Sequence, residues 1–384
     1  MLPHWTVSLE GGPRRVNHAA VIVDHRIFMF GGYCMGEDYK QQRPIDVHVF
    51  NTYSYRWKKI ISKQADELTE IPYMRYGHAA VTIGEIAYLW GGRNDSDGAC
   101  NKLFSFNTCT GKWSKEKVNG SYPGARDGHA MCVVKGNIYM FGGYEEVAEQ
   151  FSNEMYKLDM NGMIWLLIHH LEGHPANWRD FHTLTSCGDL IYVFGGREDL
   201  NGPIHRRQEV YDNALKVFCT RTKTWFEPVH VDSKRPVGRK SHSAFVYKGC
   251  LYIFGGYNSV YNQHFNDLWK YDPETRRWSE IRTIGNRPNP RRRQCVCLFE
   301  DRLFIFGGTS PASECGGQLL GTDELHDHHD THTLDFSPSL KTLCIMVIVK
   351  HKLNQLSLPA PLRWEIKMAV TPNNITRLTL TVHG

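Results

Sequence analysis

One spacing returns along this chain so regularly that few folds remain open to it. Its clearest copy is the stretch from Arg126 to Gly143, RDGHAMCVVKGNIYMFGG, which reads as a single hairpin. Arg126 and His129 open it, Ala130 to Val134 make an apolar strand, and Lys135-Gly136-Asn137 supply residues that tolerate a tight, left-handed turn. Ile138 to Phe141 return to Gly142-Gly143, where two residues without Cβ let the backbone turn sharply or meet a neighbour closely. Glycine pairs stand again at Gly31-Gly32, Gly91-Gly92, Gly195-Gly196, Gly255-Gly256 and Gly307-Gly308. Thirteen residues before the first glycine of each pair stand His18, His78, His129, His182, His242 and, in the last copy, Gln294. Three residues before each of those lies an arginine: Arg15, Arg75, Arg126, Arg179, Arg239 and Arg291.

The unit closes on a tryptophan. Trp57, Trp113, Trp165, Trp225 and Trp278 each follow by seven residues an apolar partner, Phe50, Phe106, Leu158, Phe218 or Tyr271, which marks a fourth strand after a third. Two strands from the hairpin and two from this pair give an antiparallel sheet per repeat of about 50 residues, the period of kelch repeats. At these residues the chain resembles the kelch family. Such sheets have edges to protect, and radial closure protects them, so the expected fold is all-β. A six-bladed kelch β-propeller occupies residues 1–336, and a short helical tail follows over residues 337–384. Trp5-Thr6-Val7-Ser8-Leu9 looks like a fourth strand without its first three, whereas the sixth repeat has Leu343 where a tryptophan is due. The amino-terminal strand is therefore expected to complete the last blade and close the ring.

With 384 residues, 41% of them hydrophobic, the chain has enough apolar mass for one large domain. Eleven cysteines without CxxC spacing suit reduced thiols of the cytoplasm or nucleus. The opening MLPHWTVSLEGG has no basic segment followed by an apolar run, and the longest apolar run, Leu343 to Val349, is only seven residues, so neither a signal peptide nor a membrane span is expected. A formal charge of +5 does not demand nucleic acid.

Loops carry the chemistry of such a ring, because its strands are consumed by packing. The hairpin-entry arginines and the residues after each glycine pair, Tyr33, Arg93, Tyr144, Arg197, Tyr257 and Thr309, belong on one face in an up-and-down strand order. That face is expected to be a funnel of arginine and tyrosine, with Trp178 added, suited to a carboxylate or acidic peptide. The competing role for each arginine is a pair with a neighbouring backbone or acid, as Asp127 beside Arg126 and Asp180 beside Arg179 suggest. His326, His328, His329 and His332 with Asp323, Asp327 and Asp330 have the residue types of a zinc or copper site, but they are read as a polar, mobile loop; no metal or other cofactor is expected. Neither a G-x-S-x-G elbow, nor an H-E-x-x-H, nor a phosphate-cradling glycine loop occurs, so no catalyst is read.

The tail carries a second signal. Ser337-Pro338 reads as a helix cap and first-turn proline, and Leu340, Cys344 and Ile348 then recur every four residues on one helical face; the β-branched run LCIMVIV competes as a strand. Ser339, Leu340, Cys344 and Ile348 resemble the elongin-binding box of ubiquitin-ligase receptors, and Leu358-Pro359-Ala360-Pro361-Leu362 resembles the cullin-2 box. Repeats and boxes together resemble the kelch-domain substrate receptors of cullin-2 RING ligases. The resemblance implies elongin C and elongin B as partners through Leu340, Cys344 and Ile348, cullin-2 with its RING subunit through Leu358, Pro359 and Leu362, and substrates ending in glycine. It also implies a carboxylate held by Arg239, Ser241 and Arg292, between pocket walls made by Tyr33, Tyr144, Trp178, Arg197 and Tyr257. The apolar helix would then be buried on two sides, by elongin C and by the propeller. The segment after Trp364 is expected to be extended, and the terminal Gly384 to compete with substrate. A kelch scaffold without a ligase, on chromatin or the cytoskeleton, is the alternative.

Overall fold

The computed structural model describes residues 2–37, 43–61, 70–206, 208–229, 231, 233–312 and 324–376. Among them six antiparallel four-strand units stand around an axis. Blade one is Ala19–Val23, Arg26–Phe30, Val47–Asn51 and Arg56–Ile60, and blade two is Tyr76–Ile83, Ile86–Asn94, Leu103–Asn107 and Lys112–Lys115. Blade three is Ala130–Val134, Asn137–Phe141, Met155–Asp159 and Ile164–Leu167, and blade four is Thr183–Cys187, Leu190–Phe194, Leu215–Cys219 and Thr224–Phe226. Blade five is Ser243–Tyr247, Cys250–Phe254, Leu268–Asp272 and Arg277–Glu280. Blade six takes Cys295–Phe299, Arg302–Phe306 and Thr331–Asp335, and its outer strand is β1 (His4–Leu9), which pairs antiparallel with Thr331–Asp335. The clasp read from Trp5 is therefore real: Trp5 stands opposite Leu334, as Trp57 stands opposite Phe50 and Trp165 opposite Leu158.

The blades are joined by one repeated packing unit. The aromatic before each glycine pair receives the tryptophan of the next blade: Trp113 on Phe30, Trp165 on Trp90, Trp225 on Phe141, Trp278 on Phe194, Trp57 on Phe306, and Trp5 on Phe254, with ring centroids 5.3–6.1 Å apart. The next blade's histidine packs on the same aromatic, His129 on Trp90 at 4.9 Å and His182 on Phe141 at 5.4 Å. In blade six Gln294 takes that place and donates its Nε2 to the Phe254 carbonyl at 3.1 Å. The glycine pair is required because this approach is so close. A Cβ on Gly142 would lie 2.5 Å from the His182 ring, and both Gly142 and Gly143 have positive φ, 68° and 95°.

The axis itself is closed by backbone. The residue before each histidine, or before Gln294, adopts a left-handed conformation, and its N–H donates to the equivalent carbonyl of the preceding blade. The bonds run Gly77 to Asn17, Gly128 to Gly77, Phe181 to Gly128, Ser241 to Phe181, Arg293 to Ser241 and Asn17 to Arg293, at 2.7–3.2 Å.

Two helices follow the last strand, α1 (Leu340–Lys350) and α2 (Ala360–Val370). The run LCIMVIV is thus helical, but its cap is Ser339 rather than Ser337. Ser339 is extended, its Oγ accepts from the Thr342 N–H at 3.1 Å, and the buried Pro338 before it stays outside the helix. No residue of α1 is buried, so the propeller does not cover the helix as expected. The chain beyond Trp364 is not extended either: α2 continues to Val370 because Ile366 buries against the propeller, and Asn373 then ends the excursion. Asn373 accepts from the Trp57 N–H at 2.9 Å and donates to the Tyr55 carbonyl, while Arg56 donates to the Met368 and Thr371 carbonyls. Gly384 lies outside the described residues.

The ring histidines make stability depend on pH. Burial, and then the arginine of the same repeat, pushes His18, His129 and His242 down to about 3. A histidine held below its unfolded value of 6.5 stabilises the fold fully above that pH and loses this contribution as pH falls toward 3. The melting temperature should therefore drop between pH 6.5 and 4, each buried histidine contributing up to about 1.4 kcal/mol per pH unit. His129→Gln, which copies the natural blade-six residue, should fold and show a shallower drop. Equal slopes in a pH series of thermal melts would remove the histidines from this role.

Candidate functional site

The closed backbone ring leaves a central pit of about 120 Å³ on one face, with Ser241 and Arg293 in its lining. The two loop sets meet around it. Backbone bridges join Val16 to Tyr33, Asp180 to Arg197, Lys240 to Tyr257 and Arg292 to Thr309, while Asp127 pairs with Tyr144 and Tyr76 with Arg93.

The in-phase arginines do not serve this face. Arg75, Arg126, Arg179, Arg239 and Arg291 each donate Nη1 to the carbonyl of the first glycine of their own hairpin, at 2.8–3.2 Å. Four of these also meet an acid: Arg126 with Glu145, Arg179 with Glu198, Arg239 with Asp267 and Arg291 with Asp330. Arg239 is fully buried and stacked 3.8 Å over Phe265, and four of its five donors are taken, two by Asp267 and one each by the Val237 and Gly255 carbonyls, so it faces the blade interior and leaves the carboxylate-binding set.

What remains gathers on blades five and six. Arg292 lies 4.3 Å over the Tyr257 ring, and Arg293 bonds the Tyr33 hydroxyl. Neither has a carboxylate partner among the described residues, and the Arg292 Nε is buried without a hydrogen bond. Burial and the neighbouring Arg293 together lower the pKa of Arg292. Arg293 and Ser241 are held at φ of 64° and 54° by the backbone ring that closes the axis, a conformation that costs an ordinary side chain on the order of 1 kcal/mol and that Asn17 and Phe181 share. Lys240 adds a third cation, though it is bonded by Glu209. Two guanidinium groups held apart from any acid, beside a hydroxyl, form a site for an anion.

Blades three and four have the opposite character. Arg197 is taken by Asp180 and Glu209, so it is a braced wall residue rather than a free cation. Asp127 is buried, and desolvation, then Asp180, pushes its carboxyl up to about 7. Tyr144 stands half-buried on the rim, while Trp178 is 39% exposed and outside the pit's lining. Arg293 and Lys240 are the additions that sequence reasoning left unassigned. The signal for Arg293 was present: Arg291 is in phase with the other arginines, which leaves two as surplus.

Among the described residues the histidine-rich segment forms no cluster of metal ligands. Asp330 closes the Arg291 pair, His332 bonds Asp330 at 2.9 Å, and His328 bonds the Ser310 hydroxyl at 2.6 Å, so these side chains hold blade six together rather than forming a mobile loop. Asp323 lies outside the described residues.

On the tail, Leu340 is 77% exposed, Cys344 is exposed and Ile348 is half-buried, all on one side of α1. Leu358 and Leu362 are half-buried, and Pro359 caps α2 in the open. Among the described residues no helix is long and apolar enough to cross a membrane.

The KLHDC2/KLHL20/DRC7 Kelch-repeats domain model matches residues 77–308, and a Kelch motif model matches residues 14–63. Kelch domain-containing protein 3 of Rattus norvegicus is 52% identical over 384 residues, 99% of each chain, and that of Homo sapiens is 52% identical over 386 residues with the same coverage. The chain belongs to the kelch domain-containing protein 3 family. A more distant likeness, 31% over 63% of this chain, is to host cell factor 2 of Homo sapiens, of which it covers 31%. Within the family the full-length coverage takes in the two tail helices, which lie beyond both domain models.

The two kinds of arginine should separate in stability measurements. Arg239→Ala leaves Asp267 without its cation and should cost about 3 kcal/mol in urea unfolding. Arg292→Ala removes a desolvated cation beside another and should change stability by less than about 1 kcal/mol. Equal losses would mean that Arg292 is structural as well.

Proposed function

We propose that this chain is the substrate-recognition subunit of a cullin-2 RING ubiquitin ligase, non-catalytic itself, binding proteins by a free carboxyl terminus that ends in glycine. The observation that carries the reading is α1: an eleven-residue helix with no buried residue, whose Leu340 is 77% exposed. Apolar side chains in that state are anchors for a partner's pockets, and elongin C is the partner that the Leu340, Cys344 and Ile348 pattern fits. Leu358, Pro359 and Leu362, at the start of α2, would then meet cullin-2, and elongin B would follow elongin C. At the pit, Arg292 and Arg293 would fork the terminal carboxylate with Ser241 donating beside them, and Tyr33 and Tyr257 would flank it. A terminal glycine suits this narrow floor, because a larger side chain has little room in about 120 Å³. Such a receptor would work in the cytoplasm and nucleus, where its ligase partners are.

Leu340→Ala combined with Cys344→Ala should abolish elongin capture without moving the melting transition, each anchor contributing about 2 kcal/mol or more. Leu358→Ala with Pro359→Ala should keep elongin and lose cullin-2. Amidating a glycine-ended peptide should weaken binding by about 2 kcal/mol, and Arg292→Ala should do the same. Full elongin recovery by the first double variant would turn the reading toward a scaffold outside the ligase.

A further inference from the structure

Above the pit the face is lopsided. The hairpins that follow the glycine pairs of blades three, four and five end in exposed apolar residues: Val147 is 87% exposed, Leu200 71%, Ile204 50%, Val260 64% and Tyr261 67%. Next to blade three, the blade-two hairpin ends instead in exposed Asp95, Ser96 and Asp97, and among the described residues of the blade-one hairpin Met35 is 55% exposed.

The three apolar hairpins are one surface rather than separate tips. The Phe151 N–H donates to the Pro203 carbonyl at 2.7 Å, and Gln150 bridges Ile204. The Ser259 hydroxyl donates to Glu209 at 2.6 Å and meets the Tyr211 hydroxyl at 2.9 Å. Between the tips of blades four and five lies a cleft of about 640 Å³, bounded by His205 and Val260. Interlocked loops of this kind hold their apolar side chains in place, and exposed apolar groups held in place mark a contact surface.

The same hairpins begin at Tyr144, Arg197 and Tyr257, so the wall continues directly from the pit's rim. Its tips stand about three residues beyond the rim, a rise of roughly 10 Å for extended chain. A peptide whose carboxylate rests on Arg292 and Arg293 must climb out along one side. The acidic tip of blade two offers its apolar side chains nothing, whereas the linked tips of blades three, four and five offer a continuous apolar contact.

We propose that these three hairpin tips form an apolar wall that binds ligand side chains roughly three to six positions before the carboxyl end, favouring apolar residues there. The wall thereby ranks substrates that share one terminus. The proposal rests on the carboxylate reading given above, and its test separates the two.

Two peptides of equal length and identical last two residues are compared on the full chain by fluorescence polarisation, one with leucine and valine at the upstream positions and one with serine. The apolar peptide should bind roughly tenfold tighter. Val147→Ser, Val260→Ser and Tyr261→Ser combined should reduce that gain to under about twofold, with the serine peptide's affinity and the melting temperature unchanged. Equal binding of the two peptides, or a gain that survives the triple variant, overturns the wall. Amidated copies of both peptides are run in parallel. If amidation has no effect, the carboxylate reading fails whatever the wall does; if amidation abolishes binding while upstream composition is irrelevant, the wall alone fails. A protein that self-associates through the wall, with the triple variant reverting to monomer by sedimentation, would assign the surface to a second copy and also overturn the proposal.

Discussion

The structure depends on one contact made at every blade boundary: an aromatic ring before a glycine pair, held between the tryptophan and the histidine of the next blade. Strands within a blade are joined by hydrogen bonds; blade to blade, one ring of backbone bonds closes the axis and this packing fills the boundary around it. It is demanding in both directions. The aromatic must be large enough to reach the neighbour, and the residue after it must have no side chain, since the neighbour's histidine ring occupies the space a Cβ on Gly91 or Gly142 would need. A ring of such contacts has no tolerance for a missing member. That is why Trp5 comes from the far end of the chain to meet Phe254, and why Gln294, lacking an imidazole, still reaches the Phe254 carbonyl.

This dependence also explains what the sequence made legible. The separation of Phe50 from Trp57 is a cross-strand register, and it stands unchanged at Leu158 with Trp165 and at Tyr271 with Trp278. Fold, blade count and the amino-terminal clasp follow from positions that every blade must fill. Arg239, to which the family resemblance gave a carboxylate, has instead the structural role that the repeat also offered it, held by Asp267 and the Gly255 carbonyl. A residue repeated in phase answers a need of the repeat, here in five of the six copies a cation that binds the glycine carbonyl at the strand end, whereas a ligand touches the blades unequally. The candidate site lies among residues that vary between copies: serine at position 241 and arginine at 293 hold the left-handed place that Gly77 and Gly128 hold in blades two and three, and Asn17 and Phe181 in blades one and four.

In the tail, two serines flank Pro338, and pattern alone does not choose between them. Burial of the proline chooses, because it fixes the chain against the propeller and leaves Ser339 as the first residue free to cap. The extended reading after Trp364 failed for a related reason. Pro372 and Asn373 do break the helix, but only after Ile366 has found its place on the propeller, and tertiary burial sets the boundary before the breaker is reached.

The two proposed contacts, carboxylate at the pit and ligase partners at the tail, share a single sheet. Arg292 and Arg293 enter the innermost strand of blade six, and β1 is the outermost strand of the same blade. Helix α2 packs on β1, and Arg56 and Asn373 bind the end of the tail to blade one across the seam where the ring closes. Helix α1 hangs from this base through Pro338 and the Lys341–Glu365 ion pair. An isolated helix of eleven residues is marginal in water, so this anchoring of its first turn, together with the Ser339 cap, favours the helix while its apolar side chains remain open. Closing the ring with the amino-terminal strand therefore does two things at once: it supplies the sixth tryptophan, and it builds the platform that fixes the tail relative to the pit. A propeller closed at another seam would keep its fold and lose that geometry.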